Sequence, residues 1–172
     1  QEDIAMKRHT TAVAVALACA SAIAITQVSA QESPMDQLNS FIGDGTCTGQ
    51  VMAMGKDPGH ASTGKNHGEK TLDGHWIVVR YDEEQSATNP RPFHVQQYFS
   101  YDPAKKRFIA VAFDNGSPGY STGTSSGWKG DTFTVDETQP VAGKTVVFRD
   151  TFTRSGSNMS SHTGTMRDKH GK

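Results

Sequence analysis

From Thr46 onward the chain is a succession of short β-branched and aromatic runs, each stopped by glycine, proline or asparagine. No periodic stretch after Ile42 is long enough for a second substantial helix. "HWIVVRYDE" (75–83), "FHVQQYFSYD" (93–102) and "RFIAVAFD" (107–114) are the clearest strands. Val, Ile, Tyr and Phe fit a pleated, half-buried surface, and alternation marks its two sides. Further runs cover 46–54, 67–72, 120–130, 131–138, 144–154 and 159–168, with Gly55 to Lys65 as a loop. Asp102-Pro103, Asn115-Gly116, Ala142-Gly143 and Ser155-Gly156 supply the turns.

Strands joined this tightly pair in sequence order, and a sheet of about nine of them must hide its edges. The expected fold is therefore all-β: an antiparallel up-and-down barrel of about nine to ten strands, with a β-sandwich as the alternative. A short helix precedes it. Ser33 is a good N-cap, Pro34 suits the first helical position, and Met35, Leu38, Phe41 and Ile42 share one face before Gly43. That helix is expected to act as a lid.

The N-terminal part reads differently. Met6 is followed by Lys7 and Arg8, then an apolar run to about Ile25, then Val28-Ser29-Ala30. A basic start, a short apolar stretch and a small-residue cleavage site are the layout of a secretory signal peptide. The run is too short and alanine-rich for a good membrane span, which needs roughly 20 apolar residues. Residues 6–30 are accordingly expected to be removed, residues 1–5 to be a remnant preceding the start, and 31–172 to form one domain. The expected location is the periplasm or the cell exterior.

Charge excludes several partners. Seventeen basic residues against 18 acidic leave a net charge of −1, and no basic stripe forms. Nucleic acid and a membrane span after signal cleavage are not expected. No phosphate-binding glycine loop opens a helix, and no Gly-x-Ser-x-Gly elbow is present. His60 and His67 match no compact metal-ligand spacing, and His162 alone is thin support for haem. No catalytic residue, metal or cofactor is assigned.

Four stretches resemble a bacterial domain family of unknown function with a lipocalin-like (calycin-like) barrel. They are "FIGDGTCTG", "LDGHWIVVRYDE", "YFSYDPAKKRFIAVAFDNGS" and "VFRDTFTRSG". The chain differs from the family's opening motif, where a tryptophan usually follows Gly-Thr and Cys47 stands here. The resemblance implies a fold and no defined reaction. It also implies one more strand after the turn at 168–172, which would leave the barrel one strand short.

A small barrel is filled by side chains or holds one small ligand. On the strands one face is mainly apolar (Phe93, Val95, Gln97, Phe99, Tyr101; Val146, Phe148, Asp150, Phe152) and the other is mixed. With the apolar face inward the interior is plain core. With the mixed face inward, Arg80, Gln96, Tyr98, Trp128, Arg149 and His162 are the candidate lining of a pocket for a small apolar or amphiphilic ligand. The functional expectation is a non-catalytic binding barrel. The alternative is a small isomerase, cyclase or hydrolase, which requires Arg80, Tyr98, Arg149 and His162 to converge. Cys47 is the only cysteine after the apolar segment. An exported chain normally pairs its cysteines, so Cys47 is expected to form a disulfide with a partner not present in this chain.

Overall fold

A computed structural model of the chain describes residues 33–53, 58–116, 118–141 and 143–168. Residues 1–5 and 6–30, expected to be a remnant and a signal peptide, lie outside the described residues, as does the expected turn beyond Asp168. The described chain is one antiparallel sheet of ten strands preceded by a 3-10 helix, Pro34–Phe41. The strands are β1 (Gly43–Val51), β2 (His60–Thr71), β3 (Trp76–Glu83), β4 (His94–Asp102) and β5 (Arg107–Asp114), followed by β6 (Ser121–Ser125), β7 (Trp128–Lys129), β8 (Thr132–Val141), β9 (Lys144–Ser155) and β10 (Asn158–Asp168). They pair in sequence order except that β6 pairs β8, with the two-residue β7 also on β8. The sheet curls into a half-barrel, and among the described residues no ladder joins β1 to β10.

The expected boundaries shift most at two places, while β1 starts earlier, at Gly43, and β8 runs on to Val141. Half of the expected loop 55–65 is strand: β2 begins at His60 and pairs β1 from Val51↔His60 to Gly43↔Gly68. Gly64 hides the start of this strand, since glycine is a weak strand former; Gly64 and Gly68 both serve close approach here. A β-carbon on Gly64 would meet the Tyr81 ring at 2.6 Å, and one on Gly68 the Phe41 carbonyl oxygen at 1.8 Å. The run 120–130 breaks into β6 and β7 because Gly127 sits at φ +92 between them.

The apolar face turns inward. Ile77, Phe99, Phe108, Ala110, Phe133, Val135 and Phe152 are buried on the concave side, and strict alternation places their i±2 neighbours there too. The helix lies in the concavity as core. Leu38 is fully buried and Phe41 is 5% exposed. The Phe41 ring is 5.0 Å from both Phe99 and Phe152, 5.6 Å from Phe133 and 6.0 Å from Trp128. Ser33 caps the helix, its Oγ accepting from the Met35 amide, and Lys70 holds Asp36 at 3.2 Å. The expected lid is thus an inserted plug that fills the apolar end of the concavity.

Candidate functional site

Alternation that is apolar near the plug becomes polar further along the same strands. On β8, Phe133 and Val135 are followed by Glu137 and Gln139, all buried. On β4, Phe99 is followed by Gln97 and Val95; on β9, Phe152 by Asp150, Phe148 and Val146. The concave face therefore has two regions, one sealed by the helix and one of mixed polarity.

Glu137 centres the mixed region. It is only 3% exposed. Gln97 Nε2 donates to its Oε1 at 2.6 Å and Ser121 Oγ donates to its Oε2. Gly123 lies beneath it: a β-carbon there would meet Glu137 Cγ at 2.5 Å. Burial pushes its carboxyl above the ordinary carboxylate range, and the Asp150 charge pushes the same way. The Ser121 and Gln97 hydrogen bonds and His162 oppose them without prevailing. Asp150 pairs with His162 Nε2 at 3.0 Å, and the His162 ring stacks on Phe152, centroids 4.7 Å apart. A carboxyl poised to hold its proton donates to a ligand oxygen; ionised, it accepts from a ligand hydroxyl or amine.

Apolar side chains with accessible surface share this region. Val79, Val95, Val146 and Phe148 are half-buried, and Met166, opposite Phe148, is 45% exposed. The combination is amphiphilic: a fixed hydrogen-bonding group beside apolar surface, the general composition of a small-molecule site.

The six residues expected to line a pocket divide between the two faces. Trp128 and His162 face the concave side. Trp128 Nε1 donates to the Gln37 carbonyl at 2.7 Å, and the Arg154 guanidinium stands 4.3 Å over its ring, so Trp128 clamps the plug. Arg80, Gln96, Tyr98 and Arg149 lie on the convex face, since each alternates with an inward residue. There Arg80 pairs with Glu69 at 2.6 Å, Arg149 with Asp136 at 2.6 Å, and the Tyr98 hydroxyl donates to Gln96 at 3.1 Å. Arg80, Tyr98 and Arg149 do not converge with His162, the arrangement the enzymatic alternative required. Glu137, Gln97, Ser121 and Asp150 were not singled out from sequence. The available signal was a glutamate continuing the inward register of Phe133 and Val135.

Two other polar groups are structural. Glu83, 5% exposed, accepts from His60 at 2.9 Å, Asn89 Nδ2 at 2.7 Å and the Phe93 amide at 2.8 Å. Burial opposes its ionisation, but hydrogen bonds from Ser62, the Phe93 amide and His60 outweigh this and hold its carboxyl below the ordinary range. It ties the 84–93 connection to β2 and β3. A shallow, open depression of about 370 Å³ at the β1–β2 margin is lined by Asp44, Gly45, Thr46, Lys65 and Asn66 and contains none of the concave polar groups. Cys47 is exposed and free, its thiol donating to Asn66 Oδ1 at 3.4 Å. Burial pushes that thiol up, away from the reactive thiolate.

With strand order, plug and inward register in place, comparison with known families becomes informative. A sequence profile described as "Protein of unknown function (DUF1579)" matches residues 31–172. The chain belongs to the DUF1579 family. A search of curated proteins gave no match. In this DUF1579 chain the matched span contains every described element, from the plug to β10. Membership assigns no reaction, because a shared fold does not fix a function.

Proposed function

We propose that the protein is an exported, non-catalytic binding protein that holds a small amphiphilic ligand against the mixed region of the concave face. The observation that carries this reading is Glu137, a carboxyl almost fully buried at the junction between an aromatic core and half-exposed apolar side chains. Burying a carboxyl costs several kcal/mol unless it is paired, and among the described residues Glu137 receives neutral donors, from Gln97 and Ser121. Its site is costly for stability alone. A ligand head group hydrogen-bonded to it recovers part of that cost.

The apolar part of such a ligand lies along Val79, Val95, Phe148 and Met166. The plug end is already filled by Leu38 and Phe41, which favours a short amphiphile over a long purely apolar one. Export rests on the residue pattern of 6–30 and is part of the proposal, with a periplasmic or extracellular location. The enzymatic alternative lacks the convergence it needs.

Displacement of a fluorescent fatty acid, together with native mass spectrometry after mild purification, tests the reading. Displacement with a micromolar dissociation constant, about −8 kcal/mol, is expected, weakened about tenfold in Glu137→Leu. Absence of both displacement and a co-purified ligand would refute it.

A further inference from the structure

Resting on the binding reading above, we infer that the head group held at Glu137 is a primary ammonium, set between the carboxyls of Glu137 and Asp150. The ligand class is then a short alkylamine. Register brings the two acids together. On the β8–β9 ladder Glu137 stands opposite Phe148 and Asp150 opposite Val135, which makes the acids diagonal neighbours on the concave face. Such neighbours lie about 7–8 Å apart along the backbone. One ammonium nitrogen, with N–H···O bonds of about 2.8 Å to either side, spans that gap.

Each acid is given its room by a glycine on the next strand. Gly123 pairs with Glu137, and Gly164 pairs with Asp150. A β-carbon on Gly123 would meet Glu137 Cγ at 2.5 Å, and one on Gly164 would meet Asp150 Oδ1 at 3.1 Å. Glycine weakens a strand interior and marks a place of close approach. Here it seats both carboxyls.

The hydrogen bonds already made call for a donor. Gln97 Nε2 donates to Glu137 Oε1 and Ser121 Oγ to Oε2, one bond to each oxygen. A carboxylate oxygen has two lone-pair sites, and only a donor can use the second. Asp150 Oδ1 pairs with His162 Nε2 at 3.0 Å, and Gln139 Nε2 donates to Asp114 Oδ2 at 3.3 Å. Among the described residues, the charged groups around Glu137 are thus Asp150 on β9, His162 on β10 and, through Gln139, Asp114 on β5. β4 and β6 present the neutral Gln97, Ser121 and Gly123. An ammonium brings three donors and the opposite charge, whereas an alcohol brings one donor and no charge. Its tail runs over Phe148, opposite Glu137, and Met166, opposite Phe148.

Binding then moves a proton. Burial and the Asp150 charge hold the Glu137 carboxyl above its ordinary range, so part of it is protonated at about pH 5. An alkylammonium titrates, like a lysine side chain, at about 10.4 and keeps its own protons. The protonated carboxyl and the ammonium give an ion pair and one proton, which passes to the buffer.

Calorimetric titration with octylamine and with octanol, in two buffers of different ionisation enthalpy, reads both effects. Octylamine is expected to bind about tenfold tighter than octanol near neutral pH, as charge-assisted hydrogen bonds exceed neutral ones. At about pH 5 octylamine releases part of a proton and octanol releases none. Glu137→Gln abolishes both the preference and the proton release, and Asp150→Asn reduces the preference. Circular dichroism confirms that each variant folds. Equal affinity for the two probes, octylamine binding without proton release, or an undiminished preference in either variant would overturn the ammonium assignment while the amphiphile reading stands. Failure of both probes to bind would overturn the two together.

Discussion

Replacing Phe41 by alanine removes the side chain on which the plug depends. The ring is 5% exposed and within 6.0 Å of four aromatic rings: Phe99, Phe133, Phe152 and Trp128. A buried Phe→Ala change costs about 3–5 kcal/mol through lost transfer energy and the cavity left behind. Aromatic pairs add about 0.5–1.5 kcal/mol each beyond area, and four pairs put this site at the upper end, about 5 kcal/mol. Helix withdrawal relieves the cavity only by exposing Leu38, which is fully buried. A domain of this size has about 5–15 kcal/mol in total, so the variant is marginal. With a urea slope of about 2 kcal/mol/M, the midpoint falls by about 2.5 M. Ile42→Ala, at the neighbouring position but 40% exposed, serves as the control and shifts stability by about 0.5 kcal/mol. A loss below about 1 kcal/mol for Phe41→Ala would show that the helix does not complete the core.

Gly68→Ala drives a β-carbon into the Phe41 carbonyl oxygen, a backbone atom 1.8 Å away. Overpacking of this kind costs about 3 kcal/mol, read as a lowered thermal midpoint with native-like circular dichroism. Glu137 has a raised carboxyl in the folded state, so its protonation favours folding at low pH; that stability is fully present below about pH 4.3 and is lost as pH rises through the raised value. Glu137→Gln removes this contribution, and the difference between wild-type and variant unfolding energies then changes by at most about 1.4 kcal/mol per pH unit in that window; a difference independent of pH would contradict the assignment. Glu83 has the opposite sign: its carboxyl is lowered on folding, so its stability is present above about pH 4.3 and is lost as pH falls through the lowered value. Glu83→Gln should flatten the acid limb of the unfolding curve. Alanine at Arg80 or Arg149 leaves both the unfolding midpoint and ligand displacement essentially unchanged, because both ion pairs are exposed and screened by solvent.

Strand order and the N-terminal helix are legible because they rest on local signals, whereas the helix's place inside the concavity is not. Turn residues between β-branched runs fix a meander, and Ser33-Pro34 followed by Met35, Leu38 and Phe41 fixes a helix with one apolar face. The start of β2 is hidden because Gly64 serves close approach across strands, a tertiary need with no trace in propensity. The site was harder still. Alternation separates two faces of a strand without saying which faces inward, and the aromatic cluster around Phe41 decides that only once the sheet curls. Arg80, Gln96, Tyr98 and Arg149 belong to the face that the curl turns outward. His162 and Trp128 remain inside because they lie opposite Phe152 and Phe133 in the ladders. Glu137 carries no local signal that sets it apart from other strand charges, although it shares a register with two core residues.

The proposed function stands on binding of an amphiphile by the mixed region of the concave face. Amide chemical-shift mapping during titration with dodecanol tests it most directly, because the probe carries no charge that would draw it to surface ion pairs. Saturable shifts are expected at Gln97, Ser121, Glu137 and His162, and none at Gln96, Tyr98 or Arg149. Shifts confined to the convex residues, or no saturable shift up to the solubility limit of the alcohol, would contradict it.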